Sequence, residues 1–480
     1  MKKKVLALLL AAMMSLSLVA CGGGGGKVNS EPVNSIADDS EISGTIKLQL
    51  IEYTVAPQQD TATGKDLEGY EAFFEREFGA KYPNVKWSIE EIPWDNSQQK
   101  GQVSLSTGEV DLANTGAYAS QYWYGGILRK IDDLLAADTE FDPLEVYANG
   151  IWENSFSIQS YEKDARFGLP AVMGQMYTIY DSQIFEDFGA EPLPEKPTPE
   201  DIIEAAKTCT GVNPRTGQQN YGLHFLANRS TDVFAFVALT YYTGATGGEG
   251  SIGKPGEIKW DLNNDKMKKA FEYIGEYVKY TGPGFLQNQG NENFGKVVDL
   301  EPGVENTTAI VLDSATASIW ARYLRDGKTD TTELDRFKTV YNVGPNGIGW
   351  VAVDPIVMSA KVKDENLQAA WAAMKFLTNH ETQVYEFEQI RNAPTLKDTS
   401  FIPEEYEGMK IAMDIANNCQ YTLIDEANPF FVSNIVPAVQ SYMSAIKEGQ
   451  SPNLDEILST LQTQAEEWSA QQRSEERRVG

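Results

Sequence analysis

Beyond residue 44 the chain alternates between two hydrophobic periods. In TIKLQL, Ile46, Leu48 and Leu50 repeat at every second position, the period of a strand with one buried face. After a loop carrying Gly and Asp, Leu67, Tyr70, Phe74 and Phe78 recur at helical spacing, and Tyr82-Pro83 closes the run. NVKWSIEEI supplies a second strand. Strand, helix, strand in this order predicts a crossover unit in a mainly parallel sheet with helices on its faces. GEVDLANTG reads as a buried strand running into a polar turn, and TAIVLDS repeats that shape much later, so two α/β lobes are expected. Near the end, SPNLDEILSTLQTQAEEW sets Leu454, Ile457, Leu458, Leu461, Ala465 and Trp468 on one helical face, which predicts a packing helix. Trp371 and Trp468 are assigned to the core on this periodicity. Residues 471–480 close the chain with a charged, aperiodic stretch expected to be disordered. No repeat of fixed period is present.

The first 44 residues follow different rules. Lys2, Lys3 and Lys4 precede a mostly apolar run from Val5 to Leu18, too short to span a bilayer and placed as a secretory signal places it. The run ends in Leu18-Val19-Ala20-Cys21, which resembles a bacterial lipobox, so residues 1–20 read as a lipoprotein signal and Cys21 as the lipidated residue. Two acyl chains give stable anchoring, since each buried methylene contributes about 0.8 kcal/mol. Residues 22–44, five glycines and then a polar, acidic stretch, hold too little apolar surface to fold and are expected to be a flexible tether. That leaves 436 residues for a body large enough for two or more domains.

Charge removes some partners. Without the signal the chain carries 37 basic residues against 69 acidic ones, a formal charge near −32, which repels nucleic acid and anionic headgroups. Cys209 and Cys419 are the remaining cysteines; they could pair or stay as buried free thiols, and no disulfide framework exists.

Several patterns imitate catalytic or metal sites. GEGSIGKP, Gly248 to Pro255, satisfies two phosphate-loop spacings, but Pro255 stands where a magnesium-binding hydroxyl is needed; GNENFGKV has Val297 at that place. Asp261, Asn263, Asp265 and Glu272 match calcium-loop positions, yet Lys266 replaces the loop glycine, and capping of a helix by Asn263 or Asn264 fits better. With only His224 and His380 in the chain, a histidine triad or histidine-rich zinc site is poorly supplied. Paired carboxylates leave a surface glycosidase as an alternative; no cofactor is expected.

Five segments carry a resemblance. STGEVDLANTGAY, FGLPAVMGQMYTIYDSQIFEDFGAEPLPEKPTPEDIIEAAKTCT, TAIVLDSATASIWARY, AAWAAMKFLTNHETQVYEFEQIRNAPTLKD and IKEGQSPNLDEILSTLQTQAEEW resemble, in order, the signature segments of family 1 extracellular solute-binding proteins of ABC importers. The resemblance covers most of residues 45–470. It departs in three places: Asp181 where Asn is usual after Tyr180, no Pro before the strand-end Asp111, and a longer turn before Trp320. It implies a periplasmic-binding-protein-like α/β fold, with lobe 1 at 45–172 plus 355–400 and lobe 2 at 173–354 plus 401–470. Hinge strands would cross near Val172 to Tyr177, Val351 to Pro355 and Asp398 to Pro403. The implied protein is a monomeric, non-enzymatic carrier held to the membrane through Cys21, which passes a carbohydrate, or else a peptide or polyol, to the permease subunits. Since ligands of open α/β sheets bind beyond the carboxyl ends of strands, the candidate contacts are Tyr53, Asn114, Thr115 and Tyr118 in lobe 1 and Gln175 at the first crossing. In lobe 2 they are Arg229, Asp232, Asp313, Ser314, Trp320, Trp350 and Phe430. Aromatic faces suit sugar C–H groups, while amides and carboxylates suit hydroxyls.

Overall fold

A computed structural model describes residues 32–59, 66–174, 177–226, 233–287, 289–312, 332–347, 349, 351–390, 392–402 and 407–479. Its main elements are two five-stranded mixed sheets covered by helices.

The first sheet begins with β1 (Gly44–Ile51), where Ile46, Leu48 and Leu50 are at most 1% exposed, as the alternation requires. A helix, α1 (Tyr70–Phe74), widens into a π-turn over Glu75–Gly79 and buries Tyr70, Phe73, Phe74 and Phe78. Leu67 is not on it: Asp66–Leu67 pairs with Gln58–Gln59 in a short hairpin. The chain returns as β2 (Val85–Ile92), parallel to β1 as the crossover pattern predicts. Helix α2 (Ser97–Thr107) leads to β3 (Leu112–Asn114), also parallel to β1. Next comes β4 (Gly168–Met173).

The second sheet contains β5 (Thr178–Asp181), followed by α3 (Ser182–Phe188) and α4 (Pro199–Thr208), the latter opened by a reciprocal cap between Thr198 and Asp201. The edge strand β6 (Gly211–Val212) and β7 (Gln219–His224) follow. Gly222 on β7 sits so close to α4 that a Cβ there would strike the Ala206 carbonyl. Helix α5 (Asp265–Lys279) is capped by Asn264, whose Oδ1 accepts from the Met267 N–H at 2.8 Å. Two of the four calcium-loop candidates, Asp265 and Glu272, therefore lie on a regular helix. Strands β8 (Thr308–Leu312) and β9 (Phe337–Val340) complete the sheet in the order β9-β5-β8-β7-β6. The chain then re-enters the first sheet as β10 (Val353–Met358), giving the order β2-β1-β3-β10-β4.

Helix α6 (Leu367–Thr378) covers the first sheet, and α7 (His380–Ile390) packs against α6. Trp371 is fully buried there and donates from Nε1 to Asp138 Oδ2 at 2.8 Å. Trp468 packs its half-buried ring against Trp260 and Phe430 in the second core. Cys209 and Cys419 are free and buried, with burial pushing both thiols up to about 12.

Three expectations need correction. Residues 33–43 are no tether: the Val33 N–H donates to Asp133 Oδ2, the Ala37 N–H to Gln368 Oε1, and Ile42 is buried in the first core. Helix α8 (Glu407–Asn418) does not side with the second sheet alone. It packs on β9 of the second sheet and also on the helix Asn149–Asn154, which lies between β3 and β4 of the first, where Gly150 meets the Ala416 carbonyl. The last helix, α9 (Leu454–Val479), runs straight through the stretch expected to be disordered, and Arg473 donates from Nε to the Gly256 carbonyl at 2.9 Å.

Candidate functional site

Strand direction locates the site. In the first sheet Leu48 pairs with Leu112, Asn114 with Ile356, and Val353 with Met173, so β1, β2, β3 and β4 all end on the side where β10 begins. In the second sheet Thr178 opposes both Leu312 and Val340, and Val311 opposes His224, so β7, β8 and β9 end where β5 begins. The chain passes between these two ends twice, through 174–177 and 341–352. The passages touch, because the Gly174 N–H donates to the Ala352 carbonyl at 2.9 Å. The carboxyl ends of parallel strands from both sheets thus flank one pair of crossings, the position where open α/β sheets bind ligands.

On the first side, β3 delivers Asn114 and Thr115, 3% and 1% exposed. The Thr115 N–H and, more weakly, Asn114 Nδ2 both donate to the Pro355 carbonyl, tying this turn to β10. Among the described residues Thr115 Oγ1, which is buried, finds no hydrogen-bond partner. Tyr118 shares a 2.9 Å hydrogen bond with Ser97 Oγ, and burial pushes its phenol up to about 12, with Asp354 and Glu426 adding to the shift. Asp354, the second residue of β10, has its carboxyl pushed up to about 7 by burial.

Tyr53, after β1, is 1% exposed and turned into the first core, its ring edge-on to Tyr70 at 5.1 Å. Burial raises its phenol well above the ordinary value, and Glu386 and Asp354 raise it further. Behind the two tyrosines, Glu386 is 1% exposed, accepts from Tyr70 Oη at 2.8 Å, and has its carboxyl pushed up to about 8 by burial. From the other side, the segment after α8 crosses the same region. Tyr421 Oη donates to the Val351 carbonyl at 2.8 Å, and Gln121 Nε2 donates to the Glu426 carbonyl at 3.3 Å.

The structure brings Asn114, Thr115 and Tyr118 together beside the crossings. It places Phe430 elsewhere: the ring is fully buried between Trp260 and Trp468, at 4.8 and 5.8 Å, and presents no face to a ligand. Gln175, Arg229, Asp232, Asp313, Ser314, Trp320, Trp350 and Cys21 lie outside the described residues. Sequence reasoning missed Asp354, Glu386 and Glu426. For Asp354 a signal exists, a lone acid inside the apolar run VAVDPIVM.

The phosphate-loop resemblance also dissolves in the geometry. Gly248–Glu249 pairs with Lys259–Trp260, and only a single 3-10 turn, Pro255–Glu257, follows. Among the described residues no group of His, Cys, Asp and Glu could hold a metal ion, and no helix is long and apolar enough to cross a membrane.

A family model described as bacterial extracellular solute-binding protein matches residues 61–384, well over half of the chain. The chain belongs to this family. Its members are non-catalytic binders, and this one is the substrate-binding component of an ABC importer. An uncharacterised ABC transporter extracellular-binding protein of Pyrococcus horikoshii is 22% identical over 476 residues, covering 96% of this chain and 93% of that one. A solute-binding protein of Agrobacterium vitis with bound D-mannitol superposes with a TM-score of 0.61 at 19% identity, covering 88% of this chain and 97% of that one. The sugar-binding protein MalE of Xanthomonas citri gives 0.64 at 14%, covering 90% and 98%. The periplasmic-binding-protein fold is thus shared in full.

Proposed function

We propose that this solute-binding protein is a lipid-anchored carrier of carbohydrate, an oligosaccharide by preference, which encloses its cargo between two lobes and delivers it to the permease. What carries the reading is the meeting of strand ends from both sheets on either side of the paired crossings. Each sheet would be the centre of a lobe, with 174–177 and 341–352 as the hinge. Asn114, Thr115 and Tyr118 would line one wall. Asp313 and Ser314, which follow β8 directly in the chain, and Arg229 and Asp232, a few residues past β7, would line the other. Gln175 and Trp350 fall on the two crossings, and Trp320 adds an aromatic face. Solute bridging both walls would shift the lobes toward the closed form by the contacts made only there. Cys21 would carry the lipid that keeps the protein at the membrane. The sugar-binding MalE neighbour supports a carbohydrate; the D-mannitol neighbour supports a polyol as the second reading.

A thermal-shift screen of the full chain against mono- and oligosaccharides, polyols, amino acids and peptides tests this. A ligand at one hundred times its Kd should add about 2.7 kcal/mol and raise Tm by a few degrees. One sugar class giving that shift, and recovered intact, is the expected result. A shift from polyols alone would move the reading to a polyol, and no shift from either class, or a cleaved sugar, would overturn it.

A further inference from the structure

The glycine-rich loop that imitates a phosphate site has a different partner. Glu162 lies between β3 and β4 of the first sheet, and Ser251 lies between β7 and β8 of the second. Glu162 Oε1 accepts from Ser251 Oγ, and Glu162 Oε2 accepts from Tyr124 Oη at 3.2 Å. Gly253 completes the fit, since a Cβ there would run into both carboxylate oxygens.

Each half of this contact is braced by hydrogen bonds within its own side of the molecule. Around Glu162, Ser160 Oγ donates to Asp164 Oδ1 at 2.7 Å and accepts from the Asp164 and Ala165 N–H groups. Tyr124 Oη accepts from the Tyr161 N–H at 2.9 Å, and Phe156 stacks on Tyr161 at 3.6 Å. Phe167, at the far end of the loop, stacks on Trp123. Around Ser251, its Oγ accepts from the Gly253 N–H, its carbonyl accepts from the Lys254 N–H, and Ile252 is buried in the second core. Arg473 of α9 fixes Gly256 just beyond. Tyr124 and Tyr161 also rest against the second core, so the contact sits on the seam between the two sides.

We infer that Glu162 and the Ser251–Gly253 turn form a clasp that engages when the two lobes come together, and that it sets how long a solute is held without touching the solute. This rests on the two-lobe reading above.

The test places a dye pair on Val103→Cys and Val212→Cys of the full chain with Cys21→Ser, 53% and 66% exposed and on opposite sheets' sides, while Cys209 and Cys419 stay buried. Without solute, Ser251→Ala, Glu162→Ala and Gly253→Ala should each deplete the short-separation population about tenfold, the scale of one hydrogen bond to a charged group. The Ser251→Ala/Glu162→Ala pair should do no more than either alone. With maltose or D-mannitol as probe, the same variants should release it about tenfold faster with association unchanged. Separations that ignore the variants, or single effects that simply add, would overturn the clasp. If neither probe binds, that failure belongs to the choice of cargo, and the solute-free separations still decide the clasp.

Discussion

Replacing Asp181 by alanine is expected to cost about 3–5 kcal/mol of stability, the scale seen when one partner of a buried ion pair is removed. The Asp181 side chain is wholly buried. It accepts from Arg336 Nε at 2.8 Å and from Asn306 Nδ2 at 2.9 Å, with Arg336 Nη2 an ion-pair contact at 2.7 Å. Its Oδ1 also accepts from the Gln183 and Ile184 N–H groups, capping α3. Alanine would leave the half-stranded guanidinium without its counter-charge and the helix without its cap, the latter worth about 1 kcal/mol alone. Asp181→Asn keeps the cap and loses only the charge, so it should fall between wild type and alanine. Urea unfolding of the three proteins measures this; a loss under about 1 kcal/mol for alanine would show that Arg336 finds another partner. Arg336, the residue just before β9, is thus the charge that Asp181 meets.

Glu386 should make the protein less stable as the solution becomes more alkaline. Burial disfavours the charge and pushes its folded carboxyl up to about 8, against 4.5 for the free group. Between those values the folded chain keeps a proton that the unfolded chain has lost, so stability falls with rising pH, by up to about 1.4 kcal/mol per unit. The fall levels off above the folded value, after a total on the order of 5 kcal/mol. Asp354, raised from 3.8 to about 7 by burial, adds a loss of the same sign that ends about one unit earlier. Glu386→Gln keeps an acceptor for Tyr70 Oη and carries no proton to lose. It should match wild type near pH 5 and exceed it by several kcal/mol near pH 9. Tm measured for both proteins across that range decides it, and parallel curves would show that Glu386 is solvated or paired.

The parts of this fold that could be read from the residues are those set by local periodicity. TIKLQL, NVKWSIEEI and TAIVL became strands because their apolar positions repeat at the pitch of the structure they form, and Asn264 caps its helix because its amide reaches only three residues ahead. Where distant groups decide, the residues gave no sign. Residues 33–43 are polar enough to look unfolded, yet they are held by side chains of Asp133 and Gln368 that no local pattern announces. The final residues lack a hydrophobic stripe, but Gln, Glu and Arg are strong helix formers and prolong a helix already nucleated by the packed face before them. At the site, the turn after β3 was legible because polar residues following a buried strand mark its carboxyl end. Phe430 was misplaced because an aromatic that packs and an aromatic that binds look alike until the neighbours, here Trp260 and Trp468, are known. Glu386 was invisible for a related reason: a buried acid differs from a solvated one only in what surrounds it.

The docking of the segment before β1 also sets the length of the leash. With Cys21 lipidated as proposed, a tether ending at residue 44 would let the body stray about 80 Å from the bilayer at full extension. Among the described residues the first fixed point is instead Val33, twelve residues from Cys21, which would limit that distance to about 40 Å. On that proposal, the shorter reach would concentrate the carrier in the thin layer where the permease opens, and each release of cargo would fall within one molecular diameter or so of its destination.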